Sequence, residues 1–183
     1  MNKLILIFIP LFIFSCSIDR TIHEISDNER TTLSNFQQLP SKSILKITDK
    51  NEPGEKLILC LTYLDEDSKE SLPNQLVKFY HTSTNGNYEQ TDPNDESSAR
   101  LSGQAFTDDN GHSYIETILP GSYGSSDDNR HIHTTVIRTR PKNIDIHFKQ
   151  YTSYMGTRFS KGSDQHFLAD LKRTKEKHSL SQS

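Results

Sequence analysis

The chain has no tryptophan and only two cysteines among its 183 residues. Its core must therefore come from aliphatic residues and from the 9% that are phenylalanine or tyrosine. An excess of positive charge is also missing. The formal net charge is −3, and no cluster of Lys and Arg is interleaved with aromatics, which excludes a nucleic-acid-binding surface. A glycine-rich phosphate loop, a βαβ rhythm and an internal repeat are all missing, so the doubly wound nucleotide-binding folds and the solenoids are set aside. No apolar run is long enough to cross a bilayer comfortably. The one candidate, Leu4 to Phe14, follows the short positive segment Met1-Asn2-Lys3 and has the length of a signal-peptide core.

That run ends at Ile13-Phe14-Ser15-Cys16. A small residue followed by cysteine resembles the lipobox of bacterial lipoproteins, which implies cleavage before Cys16 and lipid on its sulfur. The expected protein is exported and anchored to a membrane at its N-terminus, on the periplasmic or cell-surface side. Lipidation of Cys16 leaves Cys60 without a partner, so no intramolecular disulfide forms. Cys60 lies in Leu57-Ile58-Leu59-Cys60-Leu61 and is expected to be a small buried hydrophobe.

Residues 1–16 are thus a signal peptide, and the polar stretch 17–40 reads as a flexible tether. A folded domain is expected over 41–177, and 178–183 as a frayed tail. The domain's pattern is β. Ile44, Leu45 and Ile47 suggest a first strand, and Lys56 to Tyr63 is a continuous apolar run, expected to be a strand buried on both faces. Leu76 to Tyr80 alternates. Arg100–Thr107 and His112–Ile118 flank the turn Asp108-Asp109-Asn110-Gly111 as a hairpin. His131–Arg138 and Ile144–Tyr151 follow. About seven or more short strands at near-regular spacing predict an all-β sandwich. One short helix is expected over Asp164–Lys177, because Phe167, Leu168 and Leu171 share a helical face. His81, His112 and His147 read as surface residues.

Four residues have the chemistry of an iron site: Tyr88, Tyr123, His131 and His133. Side chains at i and i+2 of a strand share a face, so His131-Ile132-His133 can aim two imidazoles at one metal. Two phenolates would add hard oxygen donors, and the mixed set suits oxidised iron better than zinc or copper(I).

These residues stand in a recognisable order. Leu101 to Gly111, then Thr117-Ile118-Leu119-Pro120-Gly121-Ser122-Tyr123, then His131-Ile132-His133 resembles the core of the intradiol ring-cleavage dioxygenases. Upstream, Phe79-Tyr80-His81-Thr82-Ser83-Thr84-Asn85-Gly86-Asn87-Tyr88 resembles the segment that bears the family's other ligand tyrosine. The resemblance spans roughly residues 55–150. It implies a β-sandwich holding a non-haem Fe(3+) ion, with His131 and His133 as imidazole ligands. Tyr88 would be the tyrosinate that stays, and Tyr123 the one that leaves when substrate binds. The implied partners are a small catechol-type aromatic and O2, both oxygen atoms entering the ring between its two hydroxyl-bearing carbons. Arg130 is the candidate for steadying negative charge on the ring oxygens. It immediately precedes His131, whereas in well-known members an arginine sits three residues before the first histidine. The alternative is a non-catalytic sandwich that kept the fold as a binding or envelope-structural module.

Overall fold

In a computed structural model, the described residues are 20–124, 126, 128–137, 143–152 and 166–174. The segment read as a signal peptide, with Cys16, and the tail 178–183 lie outside them. Ten strands and one helix run in the order β1 (His23–Glu24), α1 (Asp27–Gln37), β2 (Leu45–Lys46), β3 (Lys56–Thr62), β4 (Leu76–His81), β5 (Leu101–Phe106), β6 (His112–Ile118), β7 (His131–Val136), β8 (Asn143–Phe148), β9 (His166–Ala169) and β10 (Lys172–Arg173). One sheet has the order β2-β6-β3 and a second the order β5-β4-β7-β8-β9, while β1 pairs with β10 in a small ribbon.

The two larger sheets form a sandwich. Leu59 of β3 and Ile115 of β6 meet Val77 and Phe79 of β4, Ile132 and Val136 of β7, and Ile146 and Phe148 of β8 in one buried cluster. Each of these strands sends alternate residues inward, as the period of two requires. In the larger sheet the intervening residues then face outward: Tyr80 on β4, His131 and His133 on β7, Asp145 and His147 on β8. Antiparallel pairing sets His133 between Tyr80 and Asp145, and His131 beside His147. Parallel pairing sets Asp145 beside His166 of β9. A row of polar and aromatic side chains therefore crosses four neighbouring strands.

Four expectations are corrected here. The stretch read as a tether contains α1, which packs on the domain. Ser26 caps it, its backbone N–H donating in return to the Glu29 carboxylate at 2.7 Å, and Phe36 buries itself against the Tyr114 ring. The helix expected at Asp164–Lys177 is replaced, within the described residues, by β9 and β10. β9 gains a parallel partner in β8, which an isolated helical turn lacks. β3 alternates between the core and solvent, because it is an edge strand with one covered face. For the same reason Cys60, on its outer face, is exposed.

Candidate metal centre

Tyr88 and Tyr123 come from two loops, after β4 and after β6, that are pressed together at their backbones. Gly86 and Gly121 make this possible, each two residues before its tyrosine. A Cβ on Gly86, where φ is +78°, would overlap the Ser122 carbonyl oxygen, and one on Gly121 would overlap the Gly86 nitrogen and the Thr84 oxygen. The Gly121 N–H and the Gly86 N–H both donate to the Ser83 carbonyl, at 2.9 and 3.0 Å, and the Thr82 hydroxyl donates to the Gly121 carbonyl at 2.8 Å. Beneath this junction His81 is fully buried, correcting its reading as a surface residue. Its Nδ1–H donates to the Thr82 carbonyl at 2.8 Å, which leaves Nε2 to accept from the Thr117 hydroxyl at 2.7 Å.

The junction delivers both tyrosines to the outward face of β7. The ring centroids of Tyr88 and Tyr123 lie 5.2 Å apart. The Tyr88 hydroxyl is 2.8 Å from His133 Nε2, which is 3.0 Å from His131 Nε2. Three donor atoms thus converge, and the fourth side chain stands beside them, the Tyr123 ring lying 6.4 Å from that of His131. The Tyr123 hydroxyl points elsewhere and donates to Glu96 Oε1 at 2.9 Å. Tyr88 is 5% exposed and Tyr123 39%, so the two phenols sit at the floor and the mouth of one site. The short loop between Tyr123 and His131 is closed by Asn129, whose carbonyl accepts the Tyr123 N–H at 2.9 Å.

Several residues that sequence reasoning did not single out complete the surroundings. Asp145 Oδ1 accepts from His133 Nδ1 at 2.8 Å. That bond places the proton on Nδ1 and turns the Nε2 lone pair toward Tyr88 and His131. Tyr80 stacks on the opposite side of the His133 ring, 4.5 Å between centroids. His147, expected to be exposed, is buried and stacks on His131 at 4.9 Å. Only the register of β7 against β4 and β8 shows these contacts, and no motif spells it out.

Charge follows burial. Burial, together with the neighbouring His133, pushes His131 down to about 4, and burial likewise brings His147 to about 4. Both are neutral imidazoles at neutral pH and can offer a lone pair. Burial tends to raise Asp145, but the His133 hydrogen bond and the surrounding imidazoles outweigh it and hold the carboxylate below its ordinary range. Burial drives the Tyr88 phenol far above its usual value, and the Glu96 hydrogen bond raises Tyr123. A phenolate at Tyr88 therefore requires a cation beside it. The His131 and His133 imidazoles, whose Nε2 atoms face each other next to such a phenol, are a donor set that fits ferric iron.

Arg130 is placed apart from the four. Its guanidinium lies over the Tyr151 ring, 4.3 Å from the centroid, and its buried Nε has no hydrogen-bond partner among the described residues.

The sequence profile of a dioxygenase family matches residues 34–177. The chain belongs to the intradiol ring-cleavage dioxygenase family. Over 81 residues it is 40% identical to a catechol 1,2-dioxygenase of Acinetobacter baylyi, a match covering 43% of this chain and 26% of that protein. The matched part thus spans about a quarter of the length of that curated relative. Among solved structures, the dioxygenase domain of a dioxygenase–carbohydrate-binding protein fusion from Streptomyces sp. SirexAA-E superposes with a TM-score of 0.52 at 18% identity. That likeness covers 74% of this chain and 93% of that one. Catechol 1,2-dioxygenase from Pseudomonas arvilla C-1 gives a TM-score of 0.52 at 18% identity over 69% of this chain and 46% of that chain. These likenesses are of fold. In this family member they accompany a β-sandwich whose tyrosine and histidine side chains meet on one sheet face.

Proposed function

We propose that this protein is a non-haem Fe(III) intradiol dioxygenase that opens a catechol-type ring between its two hydroxyl-bearing carbons. The observation that carries the reading is the convergence of the Tyr88 hydroxyl with the Nε2 atoms of His131 and His133, with Tyr123 alongside. These four would hold the ferric ion, which when bound supplies Lewis acidity and the one-electron chemistry that couples a catechol to O2.

The chain's own residues prepare that chemistry. Asp145 fixes the tautomer of His133, and burial keeps His131 neutral. Tyr88, enclosed and tied to His133, stays in place. Tyr123, at the mouth, would be the more mobile of the two tyrosines that could hold the ion. As a phenolate it takes one catechol proton, and it then becomes the phenol that donates to Glu96. Glu96 thereby parks Tyr123 away from the entering ring. Placement against Tyr151 supports a packing role for Arg130 in place of charge stabilisation at the substrate. The N-terminal features support export and lipid anchoring at Cys16, and Cys16→Ser should release the protein from the membrane fraction.

The test is reaction of the iron-loaded protein with catechol under 18O2. A ring-opened dicarboxylic acid carrying both labelled oxygens is the expected product, and Tyr123→Phe should slow its formation. A folded, iron-loaded protein that consumes no O2 with catechol or substituted catechols would remove the enzyme and leave the non-catalytic sandwich.

A further inference from the structure

β8 and β9 run parallel, with Asp145 beside His166. Asp145 and His147 are two residues apart on β8 and so share its face. This register gathers three donors outside the tyrosine–histidine set. A carboxylate oxygen of Asp145 and ring nitrogens of His147 and His166 all lie within 4.8 Å of one another. We propose that Asp145, His147 and His166 form a second metal site, which takes a borderline divalent transition ion such as Zn2+.

The donor types narrow the ion to a borderline divalent transition metal, with zinc as the probe. Two imidazoles and one carboxylate are a three-ligand zinc set that leaves a position for solvent. Calcium and magnesium prefer all-oxygen sites, and the phenolates that favour ferric iron are absent here. Zinc bonds of about 2.0–2.1 Å in tetrahedral geometry need ligand atoms about 3.4 Å apart. Rotation of His166 on its short strand and of the Asp145 carboxylate supplies the modest closure required. Both are partly open, their side chains 28% and 25% exposed, which gives the ion a path in from the β9 side. His147 forms the buried wall.

Asp145 links this site to the first. Its Oδ1 is 2.8 Å from His133 Nδ1, and its Oδ2 lies 4.0 Å from His166 Nδ1. His147 in turn stacks on His131. An ion held by Asp145, His147 and His166 would therefore adjoin both imidazoles of the first site without using any of its four side chains. The proposal stands whether or not that first site carries iron.

The test is zinc titration of the purified, metal-stripped protein by calorimetry, with ions per chain counted by mass spectrometry. Wild type is compared with His166→Ala, with the volume-preserving His166→Gln, and with a Tyr88→Phe/Tyr123→Phe protein. The expected result is one zinc per chain in wild type and in the double-tyrosine variant, weakened at least about tenfold in both His166 variants. Iron loading of the His166 variants should give the same visible spectrum as wild type. Equal zinc affinity in wild type and in whichever His166 variant keeps the native circular dichroism would overturn the proposal. So would failure of wild type to bind zinc, or loss of zinc in the double-tyrosine variant alone. The three residues would then be a polar ladder that buttresses His131 and His133.

Discussion

The two faces of the five-stranded sheet are built from the same strands and differ in almost everything else. Val77, Phe79, Ile132, Ile146 and Phe148 face the partner sheet and join one buried apolar cluster. Tyr80, His131, His133, Asp145 and His147 face the other way, one residue out of phase, and form a lattice of stacked rings and hydrogen bonds. The inward face holds the sandwich together by burying apolar area, so its residues are exchangeable if volume is kept. The outward face depends on individual atoms, so its residues are not. Burial on that face keeps the His131 and His147 imidazoles neutral and the Tyr88 phenol protonated.

Four changes probe that division. Phe79→Ala should cost about 3–5 kcal/mol in urea unfolding, since a fully buried ring leaves a cavity in the core. The molecules that remain folded should keep their metal. Gly121→Ala should act on the outward face alone. Its Cβ collides with backbone of the Tyr88 loop, and a displacement of about 1 Å at the tyrosines should lower turnover roughly 100-fold. Asp145→Asn should weaken ferric binding about 10- to 100-fold by freeing the His133 ring, with little change in the unfolding midpoint. Arg130→Met should leave turnover within about threefold and cost about 1–2 kcal/mol, the worth of a cation over a partly buried aromatic ring.

A fifth prediction concerns the junction between the faces. Burial lowers the His81 pKa relative to the unfolded chain. The unfolded state therefore binds a proton that the folded state refuses once the pH falls below about 6.5. The contribution of His81 to stability is fully present above that pH. It declines on acidification by at most about 1.4 kcal/mol per pH unit until the folded-state pKa is reached. His81→Gln should flatten this slope in equilibrium unfolding measured between pH 7 and pH 5.

Strand positions were legible because alternation is local. β6 matches its expected span, and β3, β4 and β7 begin where their apolar patterns begin. Ser26 and Glu29 carried a capping signal for α1, but the polar stretch around them hid it, and the contact of Phe36 with Tyr114 is tertiary. At the site, types and order were readable: Tyr88, His131 and His133 bring their donor atoms together, while the Tyr123 ring lies beside them with its hydroxyl turned to Glu96. What surrounds them was not readable. Asp145, His147 and His166 take part only because β8 lies between β7 and β9, and strand order is not written in any single strand. Glu96 reaches Tyr123 from a loop 27 residues away in sequence. His81 and His147 looked like surface histidines because their own strands say nothing about which loops cover them.

In the proposed function, Tyr88 and its neighbours hold ferric iron through phenolate oxygen. The most direct measurement is the visible absorption spectrum of the iron-loaded protein, alone and with catechol, beside that of Tyr88→Phe. A tyrosinate-to-iron charge-transfer band that shifts with catechol and loses intensity in Tyr88→Phe is the predicted result. A colourless protein after ferric loading, or a band indifferent to Tyr88, would contradict it.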